Sequence, residues 1–394
     1  MYRIGKLELD ALGRVIDAGK PFRYREASEC AGFEKEYAQY LGVEHVNLCS
    51  SGTAALVAAL VGLGIGPGDE VVVPAVTYMA TATAVLVAGA IPVIVDVDES
   101  LTLDPAALRA SVGPRTRAVI PVHVWGLAAD LDAILEIAME NQLLVIEDVC
   151  QAVGGGRPGK MLGSFGHAGA FSFNYFKNIT CGEGGAVCTR DPAVFERIRC
   201  AVDCCNFFWN GEPRGVRGFA SHSSRASEFE GALLRAQLGR LPEMIATMRR
   251  HKLWVTEATA DCLRAAPSRG SGLDCGSNVV VQFDSHERAL DFAKGVGGDV
   301  VSQTGRHIYT RWTPVLERRG AHHPALDPYL LPENSECRKT YSLDQCARSL
   351  DIARRSVLVP MHPDNTESDI VALIGKLRAL AGASEAEGRA LKVG

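Results

Sequence analysis

One lysine stands between an aromatic, strand-like run and a glycine-rich turn, in the segment FSFNYFKNITCGEGG (residues 171–185), where it is Lys177. A lysine amine can act as a nucleophile that forms an imine with a carbonyl compound. A lysine on a loop is more often a solvated surface residue with no chemical role. Whether Lys177 is such a residue or a nucleophile depends on the side chains that the fold places near it. A ligand that carries an aldehyde would need further side chains beside this amine.

A possible anion site lies in the segment SSGTAAL (50–56), where small residues lead into a helix-like stretch. The N–H groups and the positive end of a helix attract anions, and Gly52 would let an anion come close to the backbone. Serine and threonine are also the preferred residues at an ordinary helix N-cap. The segment alone leaves both interpretations open.

An acidic pair, Glu147 and Asp148, ends the apolar run LLVIEDV (143–149). A carboxylate buried at such a position needs a hydrogen-bonding or charged partner. Asp148 could be an N-cap or a metal ligand, but no second acidic cluster or histidine lies at a suitable spacing. The sequence therefore predicts no metal site, and a cationic organic ligand would satisfy the carboxylate.

These features match the needs of pyridoxal 5'-phosphate, which carries an aldehyde, a pyridine nitrogen and a phosphate. Such a cofactor needs an amine, an acid, an anion site and a flat stacking partner, which are supplied by Lys177, Asp148, Gly52 and Thr53 with Ser172, and Tyr78. An imine-forming lysine together with an acid at the pyridine nitrogen characterises pyridoxal phosphate enzymes. The sequence therefore predicts this cofactor, with pyridoxamine 5'-phosphate as its intermediate form.

The elements that must position these residues alternate between short apolar runs and helix-like stretches from about residue 45 to 190. The predicted strands are 46–49, 70–75, 91–97, 117–125, 143–149, 169–175 and 184–190. Several are continuously apolar, as strands buried on both faces are. The alternation predicts an α/β fold with a mostly parallel, doubly wound sheet, in which ligands bind at the carboxyl ends of the strands. A glycine-rich connection at 150–168 indicates that the last strands break the regular winding.

A second, smaller α+β unit is predicted after a long helical stretch at 227–265. Its strands are SNVVVQFD (277–284) and SVLVP (356–360), and its helices are HERALDFAKGV (286–296) and ESDIVALIGKLRALAGA (367–383). The predicted domains are 1–245 and 246–394, with the boundary inside the helix at about 242–250. The tail at 384–394 is predicted to be frayed.

The composition excludes several classes of protein. Hydrophobic residues make up 47% and charged residues 22% of the 394 residues, as in ordinary globular proteins, and the net charge of −5 gives no reason to expect nucleic acid as a partner. The twelve cysteines show no zinc-like spacing and are interpreted as reduced thiols. No stretch is typical of a signal peptide or a membrane span, so a cytoplasmic location and no membrane partner are expected.

At the residues quoted above, the chain resembles the DegT-type sugar aminotransferases, a fold-type I pyridoxal phosphate family that acts on keto-sugars and keto-cyclitols. The resemblance also covers FRYREASECAGFEKEYAQYLGV (22–43), GDEVVVPAVTYMATATAV (68–85) and, more weakly, SRASEFEGALLRAQLGRL (224–241) and SVLVPMHP (356–363). The wording of EDVCQA and FSFNYFKNITCGEGGAV is most similar to the branch that aminates an eight-carbon sugar acid, the 8-amino-3,8-dideoxy-manno-octulosonate aminotransferases.

The resemblance implies a role for each matching residue. Lys177 would be the Schiff-base lysine, Asp148 would pair with the pyridinium nitrogen, and Gln151 would bind the ring hydroxyl. The phosphate would be held by Gly52, Thr53 and Ser172, with Tyr78 stacked on the ring. Ser223 stands where the family usually has an asparagine that reaches the phosphate across a dimer, and a serine hydroxyl has a shorter reach. The resemblance also implies a homodimer with shared active sites.

Substrate contacts are harder to assign. The segment RHIYTRWTP (306–314) is basic and aromatic, and it is either part of the substrate pocket or a surface loop with some aromatic core. The candidate substrate residues are Arg225, His307, Tyr309 and Trp312, and weaker candidates are Arg217, Arg311, His123 and Trp125.

The predicted function is transfer of an amino group from L-glutamate or L-glutamine to a keto-sugar, nucleotide-linked or eight-carbon, or to a keto-cyclitol, in amino-sugar or antibiotic biosynthesis. One alternative keeps the cofactor but changes the reaction to dehydration, epimerisation or decarboxylation. Lys177 is evidence against dehydration, because the dehydratases of the family carry a histidine at this position. A second alternative is a non-catalytic regulator on the same fold, which would have no use for this set of residues.

Overall fold

The computed structural model describes residues 4–25, 27–270 and 272–382 of the chain. Within these residues it contains a seven-stranded sheet, a four-stranded sheet and a two-stranded hairpin. The predicted frayed tail at 384–394 lies outside the described residues. None of the helices in the described ranges is long and apolar enough to span a membrane.

The described residues form thirteen strands. In chain order they are β1 (His45–Cys49), β2 (Glu70–Pro74), β3 (Ile91–Val95), β4 (Thr116–Val119), β5 (Leu144–Asp148), β6 (Gly156–Arg157), β7 (Lys160–Met161), β8 (Ala168–Ser172), β9 (Gly185–Thr189), β10 (Arg264–Ala265), β11 (Asn278–Gln282), β12 (Asp299–Val300) and β13 (Ser356–Pro360).

The same residues form fourteen α-helices. They are α1 (Lys6–Asp17), α2 (Glu29–Leu41), α3 (Gly52–Gly62), α4 (Ala80–Val87), α5 (Pro105–Ser111), α6 (Leu131–Glu140), α7 (Pro192–Val202), α8 (Phe207–Asn210), α9 (Glu228–Leu238), α10 (Leu241–Ala258), α11 (His286–Val296), α12 (Thr313–Leu316), α13 (Ala347–Arg354) and α14 (Glu367–Ala381).

The large sheet has the strand order β1-β9-β8-β5-β4-β2-β3. Strand β9 runs antiparallel to both of its neighbours, whereas the other neighbouring pairs are parallel. Every residue of β2, β3, β8 and β9 is buried, as expected for strands with helices on both faces. The predicted α/β fold with a mostly parallel sheet is confirmed, and so is the break in winding at the last strands.

One strand prediction is wrong in its length. The run at 117–125 was predicted as a single strand, but β4 ends at Val119 and a 3-10 turn follows at Val124–Gly126. Pro121 stands between them and has no N–H group to continue a strand ladder. Its carbonyl instead accepts a hydrogen bond from the Asp148 N–H at 2.9 Å, which places the next residues beside the end of β5.

The second unit is an antiparallel sheet of order β10-β11-β13-β12, with α11 and α14 packed against it. The predicted smaller α+β unit is confirmed. The helical stretch predicted at 227–265 is two helices rather than one. Helix α9 ends at Leu238, and α10 begins at Leu241 with Pro242 in its first turn, where proline is tolerated.

Helix α10 contributes to both units. Its residues Leu241, Ile245 and Met248 pack into a core shared with α2 and the large sheet, whereas Val255 packs into the core of the small sheet. Later in the chain, Ile308 and Trp312 return to the core of the large unit. A domain boundary inside α10 stays a prediction, and the residues after 300 divide between the two units.

Candidate functional site

A cavity of about 650 Å³ lies at the carboxyl ends of the parallel strands and extends to the small unit. It is lined by segments that follow β1, β2, β5 and β8, which are the four strand ends that the sequence singled out. The predicted site residues in its wall are Gly52, Thr53, Tyr78, Asp148, Gln151, Ser172, Lys177 and His307. These residues are far apart in the chain, and the sheet brings them together.

The beginning of α3 forms one end of the cavity. Ser51 is the N-cap, and its hydroxyl accepts a hydrogen bond from the Ala54 N–H at 3.1 Å. The next residues, Gly52 and Thr53, line the cavity, and the first N–H groups of a helix have no acceptor within it. The N-cap interpretation is therefore confirmed for Ser51. The remaining N–H groups at the positive end of α3 are available to bind an anion.

Gly52 is required by its surroundings. A Cβ atom at this position would lie 2.8 Å from both the Cys150 sulfur and the Ser172 Cβ. Real Cβ atoms essentially never come so close to a neighbour, so any side chain here would push the start of α3 away from Ser172. The glycine lets the helix end, the end of β8 and the residues after β5 form one continuous small-residue surface.

The carboxylate of Asp148 is 4% exposed and lies in the cavity wall. Its Oδ2 accepts a hydrogen bond from the Thr81 hydroxyl at 2.8 Å, and its Oδ1 accepts one from the Cys150 N–H at 3.1 Å. Thr81 and Thr77 are themselves joined by a hydroxyl contact of 2.9 Å. In the described ranges no lysine, arginine or histidine forms an ion pair with Asp148, so a cationic group of a ligand would be its only charged partner there.

The neighbouring Glu147 faces the other side of the strand and serves the fold. Its carboxylate accepts hydrogen bonds from the N–H groups of Gly163, Phe165 and Gly166 at 2.7–2.8 Å. It also lies 3.2 Å from His123 Nε2, while His123 Nδ1 accepts the Ala129 N–H at 3.1 Å. His123 is fully buried and does not line the cavity, so it is a packed core histidine.

Lys177 is half-buried and lines the cavity just after β8. Its N–H donates to the Asn174 carbonyl at 3.0 Å, and the Asn174 amide donates to Glu183 Oε1 at 3.0 Å. This turn holds the backbone of Lys177 in place.

The imidazole of His307 also lines the cavity. Burial lowers its pKa, a hydrogen bond to Thr304 opposes this shift, and the positive charges of Lys177 and Arg306 add to it.

Aromatic rings form the wall between the two units. The rings of Tyr78 and His307 meet edge-on at 5.6 Å, and those of Trp125 and His307 lie 5.5 Å apart. The Arg306 guanidinium lies 5.2 Å from the centre of the Tyr78 ring, a cation–π distance. The wall therefore presents the flat faces of aromatic rings together with the basic side chains of Lys177 and Arg306.

Trp125 has a left-handed backbone conformation (φ 49°) that non-glycine residues rarely adopt. Its N–H donates to Gln151 Oε1 at 3.1 Å, and its carbonyl accepts hydrogen bonds from Ser277 and Asn278, both at 3.0 Å. These three contacts hold the residue at the cavity wall. Trp125 therefore lines the site, and the Gln151 carbonyl oxygen is used to support it.

Two predicted substrate residues do not line the cavity. Tyr309 and Trp312 are fully buried and lie outside the lining of the cavity. The Tyr309 hydroxyl accepts the Cys346 N–H at 3.3 Å, and Trp312 Nε1 donates to the Arg306 carbonyl at 3.0 Å. They pack beneath the segment that carries Arg306 and His307, where the chain leaves its extended pairing for a 3-10 turn at Tyr309–Arg311 and both rings join the core of the large unit.

Four further candidates also lie outside the lining of this chain's cavity, namely Arg217, Ser223, Arg225 and Arg311. Arg225 forms an ion pair with Asp203 at 3.2 Å, and Ser223 is exposed. Asp203, Cys204 and Cys205 lie close enough together to be considered as metal ligands. The Asp203 carboxylate already accepts hydrogen bonds from Tyr24, Arg225 and the Cys205 N–H, so its oxygens are occupied by protein groups.

Sequence reasoning missed several lining residues, including Thr81, Asn174, Glu183, Ser277, Asn278 and Arg306. Thr81 had a weak signal, since it stands four residues after Thr77, at the start of the largely apolar segment ATATAVLV (80–87). Ser277 and Asn278 had none, because they reach the cavity through the packing of the small unit on Trp125.

The residues present fit pyridoxal phosphate. Asp148 offers a buried carboxylate without a charged protein partner, α3 offers a helix end with a glycine surface, and Lys177 offers an amine in the same cavity. Tyr78 supplies an aromatic face that is 37% exposed. Each chemical group of the cofactor therefore has a matching protein group within one cavity.

Comparison with known proteins agrees with this fit. The sequence model of the DegT/DnrJ/EryC1/StrS aminotransferase family matches residues 3–279. The chain is 42% identical to GDP-perosamine synthase of Caulobacter vibrioides over 233 residues, which are 58% of this chain and 61% of that protein. It is 32% identical to an L-glutamine:2-deoxy-scyllo-inosose aminotransferase of Streptomyces paromomycinus over 93% of this chain and 91% of that protein.

A solved structure shares the fold over nearly the whole chain. DesV of Streptomyces venezuelae, in complex with a ketimine intermediate, is 30% identical and superimposes with a TM-score of 0.76 over 96% of this chain and 95% of that one. The chain spans less than two thirds of the length of several curated relatives that it matches.

Proposed function

The chain belongs to the DegT/DnrJ/EryC1/StrS aminotransferase family, and on that premise we propose that it is a pyridoxal phosphate-dependent aminotransferase. The amino donor is L-glutamate or L-glutamine, and the acceptor is a keto-sugar or a keto-cyclitol. The relatives named above carry such activities in their names, one on a GDP-sugar and one on a cyclitol. The similarity to the eight-carbon branch stays a prediction, and so does a cytoplasmic location.

One observation carries the proposal: the buried carboxylate of Asp148, which has no cationic partner among the described residues, shares a cavity with Lys177 and the open end of α3. A buried carboxylate is stable only with compensating partners, and two neutral donors compensate it in part. The N–H of a protonated pyridine ring would complete the set. When bound, pyridoxal phosphate withdraws electrons from the α-carbon of an amino donor.

The protein side chains then have separate tasks. Asp148 would accept a hydrogen bond from the pyridine N–H and keep that nitrogen protonated, with Thr81 holding the carboxylate in position. Lys177 Nζ would take the proton from the donor's α-carbon and deliver it to the carbon that carried the cofactor's aldehyde, and it would move a proton in the opposite direction during the second half of the reaction. The N–H groups of Gly52 and Thr53 and the Ser172 hydroxyl would hold the phosphate at the end of α3.

We also propose that the chain forms a homodimer whose active sites are shared. Large aromatic side chains are exposed in the single chain, with Phe176 at the cavity at 74%, Phe208 at 74% and Trp209 at 56%. Exposed aromatic groups of this kind mark interaction surfaces. Ser223 and Arg225 lie outside this chain's own cavity, which is where residues that serve a partner's site would lie. Sedimentation equilibrium of the purified protein tests this directly, and a monomeric mass would rule it out.

The experiment that tests the function is a visible absorption spectrum of the purified holoenzyme before and after addition of L-glutamate or L-glutamine. An absorption band that disappears with one donor, with release of the matching keto acid, is the expected result. A band that neither donor changes would favour dehydration, epimerisation or decarboxylation with the same cofactor. A colourless protein that stays colourless with added cofactor would contradict the cofactor itself.

A further inference from the structure

The ring of His307 belongs to the aromatic wall described above, and its backbone is fixed. The segment that carries it runs antiparallel to the residues after β2, through a bridge between Val76 and Ile308. The Thr77 N–H donates to the His307 carbonyl at 3.0 Å, and the Tyr309 N–H donates to the Ala75 carbonyl at 3.0 Å. Strand-like pairing thus fixes the position from which the imidazole enters the cavity wall.

The two ring nitrogens of His307 have different roles. Nδ1 lies 3.2 Å from the Thr304 carbonyl oxygen, and a carbonyl can only accept, so Nδ1 carries a hydrogen. Burial and the charges of Lys177 and Arg306 keep the pKa of the imidazole below its usual 6.5, so the ring is neutral at neutral pH. In a neutral imidazole with a hydrogen on Nδ1, Nε2 is an acceptor.

Within residues 4–25, 27–270 and 272–382, no protein group donates a hydrogen bond to Nε2. The Tyr78 and Trp125 rings contact the imidazole at centroid distances of 5.6 Å and 5.5 Å, which leaves the ring little room to turn. The other basic groups of the wall, Lys177 and Arg306, are donors in their charged forms. The wall therefore has an oriented acceptor between two flat faces, beside groups that donate.

We propose that His307 is a specificity-determining residue whose Nε2 accepts a hydrogen bond from a hydroxyl group of a polyhydroxylated six-membered ring. The inference rests on the proposed function and adds the chemical feature that selects the acceptor. A ring hydroxyl is both donor and acceptor, so it can satisfy Nε2, whereas a ring without hydroxyl groups leaves Nε2 unpaired. Leaving a buried polar group unpaired weakens binding by about 10- to 100-fold.

Substitution of His307 by asparagine or by glutamine tests the roles of its two ring nitrogens separately. His307→Asn places an amide where Nδ1 was and can still donate to Thr304, but it removes the acceptor at the position of Nε2. His307→Gln extends to the position of Nε2 and supplies a carbonyl oxygen there. His322→Asn is the matched control, because His322 is exposed and lies outside the cavity lining.

The test compares the holoenzyme variants with scyllo-inosose and with cyclohexanone as acceptor ketones. His307→Asn should lower kcat/KM for scyllo-inosose by about 10- to 100-fold and leave the value for cyclohexanone within about twofold, while His307→Gln keeps most of the activity. The absorbance change with amino donor alone should be unaffected in all variants, because it does not involve the acceptor ring. An equal loss with both ketones, or a loss in the donor step, would overturn the proposal.

A binding measurement decides the matter without turnover. Calorimetric titration with myo-inositol, which has no ketone and cannot react, should show affinity about 10-fold weaker for His307→Asn than for wild type and unchanged affinity for His322→Asn. Equal binding by His307→Asn and wild type, or no binding of myo-inositol to wild type, would refute the role given to His307. Failure of the donor spectrum in wild type would instead refute the proposed function, since that step precedes any acceptor.

Discussion

The hydroxyl of Thr81 donates a hydrogen bond to Asp148 Oδ2 at 2.8 Å, across 67 residues of sequence. Thr81 belongs to the first turn of α4, and Asp148 is the last residue of β5. The contact joins the helix that follows Tyr78 to the carboxylate in the cavity wall. It gives Asp148 one of its two side-chain hydrogen bonds, the other coming from the backbone of Cys150.

Thr81→Val should weaken cofactor binding by about 10-fold, because valine fills the same space but cannot donate to the carboxylate. Asp148 would keep only the Cys150 N–H and would be less firmly oriented toward a pyridine nitrogen. Titration of the cofactor-depleted variant with pyridoxal phosphate, followed by absorbance, measures the change. Thr83→Val in the same helix is the control, since Thr83 contacts the Ala80 carbonyl and lies outside the cavity lining. Equal affinity of Thr81→Val and Thr83→Val would show that the contact is dispensable.

Lys177→Ala should abolish amino transfer, since among the described residues that line the cavity no other lysine is present to move the proton. Cofactor binding without covalent attachment would persist, because the contacts at Asp148 and at α3 remain. Single-turnover assays with donor and acceptor measure the loss, and thermal unfolding checks that the variant is folded. Lys160→Ala removes an exposed lysine that lies over the Phe165 ring, outside the cavity, and should keep full activity. Wild-type turnover by Lys177→Ala would exclude the assigned role.

Gly52→Ala should lower the affinity for pyridoxal phosphate by at least about 10-fold, since the added methyl group would lie 2.8 Å from the Cys150 sulfur and from Ser172. Relief of this clash would displace the helix end on which the phosphate depends. The measurement is cofactor titration together with chemical denaturation. Gly13→Ala is the control, because a Cβ there meets no atom within 4 Å and alanine favours a helix. If Gly52→Ala bound the cofactor as tightly as wild type, the phosphate would have to lie elsewhere.

The stability of the protein should fall as the pH drops below about 6.5, partly through His251. This histidine is 1% exposed, and its Nδ1 has no hydrogen-bond partner among the described residues. Burial and the charge of Arg250 lower its pKa from the usual 6.5, against the opposing charge of Glu367. In the pH range between the folded-state pKa and 6.5, the unfolded chain binds a proton that the folded chain does not, so acid favours unfolding.

Urea denaturation at about pH 7.5 and about pH 5.5 measures this effect. Wild type should lose more stability between these two values than His251→Gln, whose side chain does not titrate. The exposed His322 provides the matched variant, His322→Gln, which should lose as much stability as wild type. An identical loss in wild type and His251→Gln would assign the pH dependence to other groups, such as His167, whose pKa is also lowered by burial.

Much of the fold follows from local patterns. The largely apolar runs predicted as strands at 70–75, 91–97 and 184–190 contain β2, β3 and β9, because strands covered by helices on both faces leave few positions for polar residues. Pro121 was visible in the sequence, and its missing N–H accounts for the early end of β4. The residues at the four strand ends could be gathered because parallel strands present their carboxyl ends at one edge.

The sequence by itself determined the residue types at the strand ends, and so an amine, an acid and a helix start for one ligand. Only the tertiary structure decided which partners these groups have. Thr81 reaches Asp148, and Ser277 and Asn278 hold Trp125, through contacts between segments far apart in the chain. The same applies to RHIYTRWTP, in which His307 lines the cavity while Tyr309 and Trp312 are buried. An aromatic residue suits a core and a cavity wall equally well. Only the tertiary structure decides between them, because 306–309 pairs with 75–79 and a 3-10 turn at Tyr309–Arg311 then leads Tyr309 and Trp312 into the core.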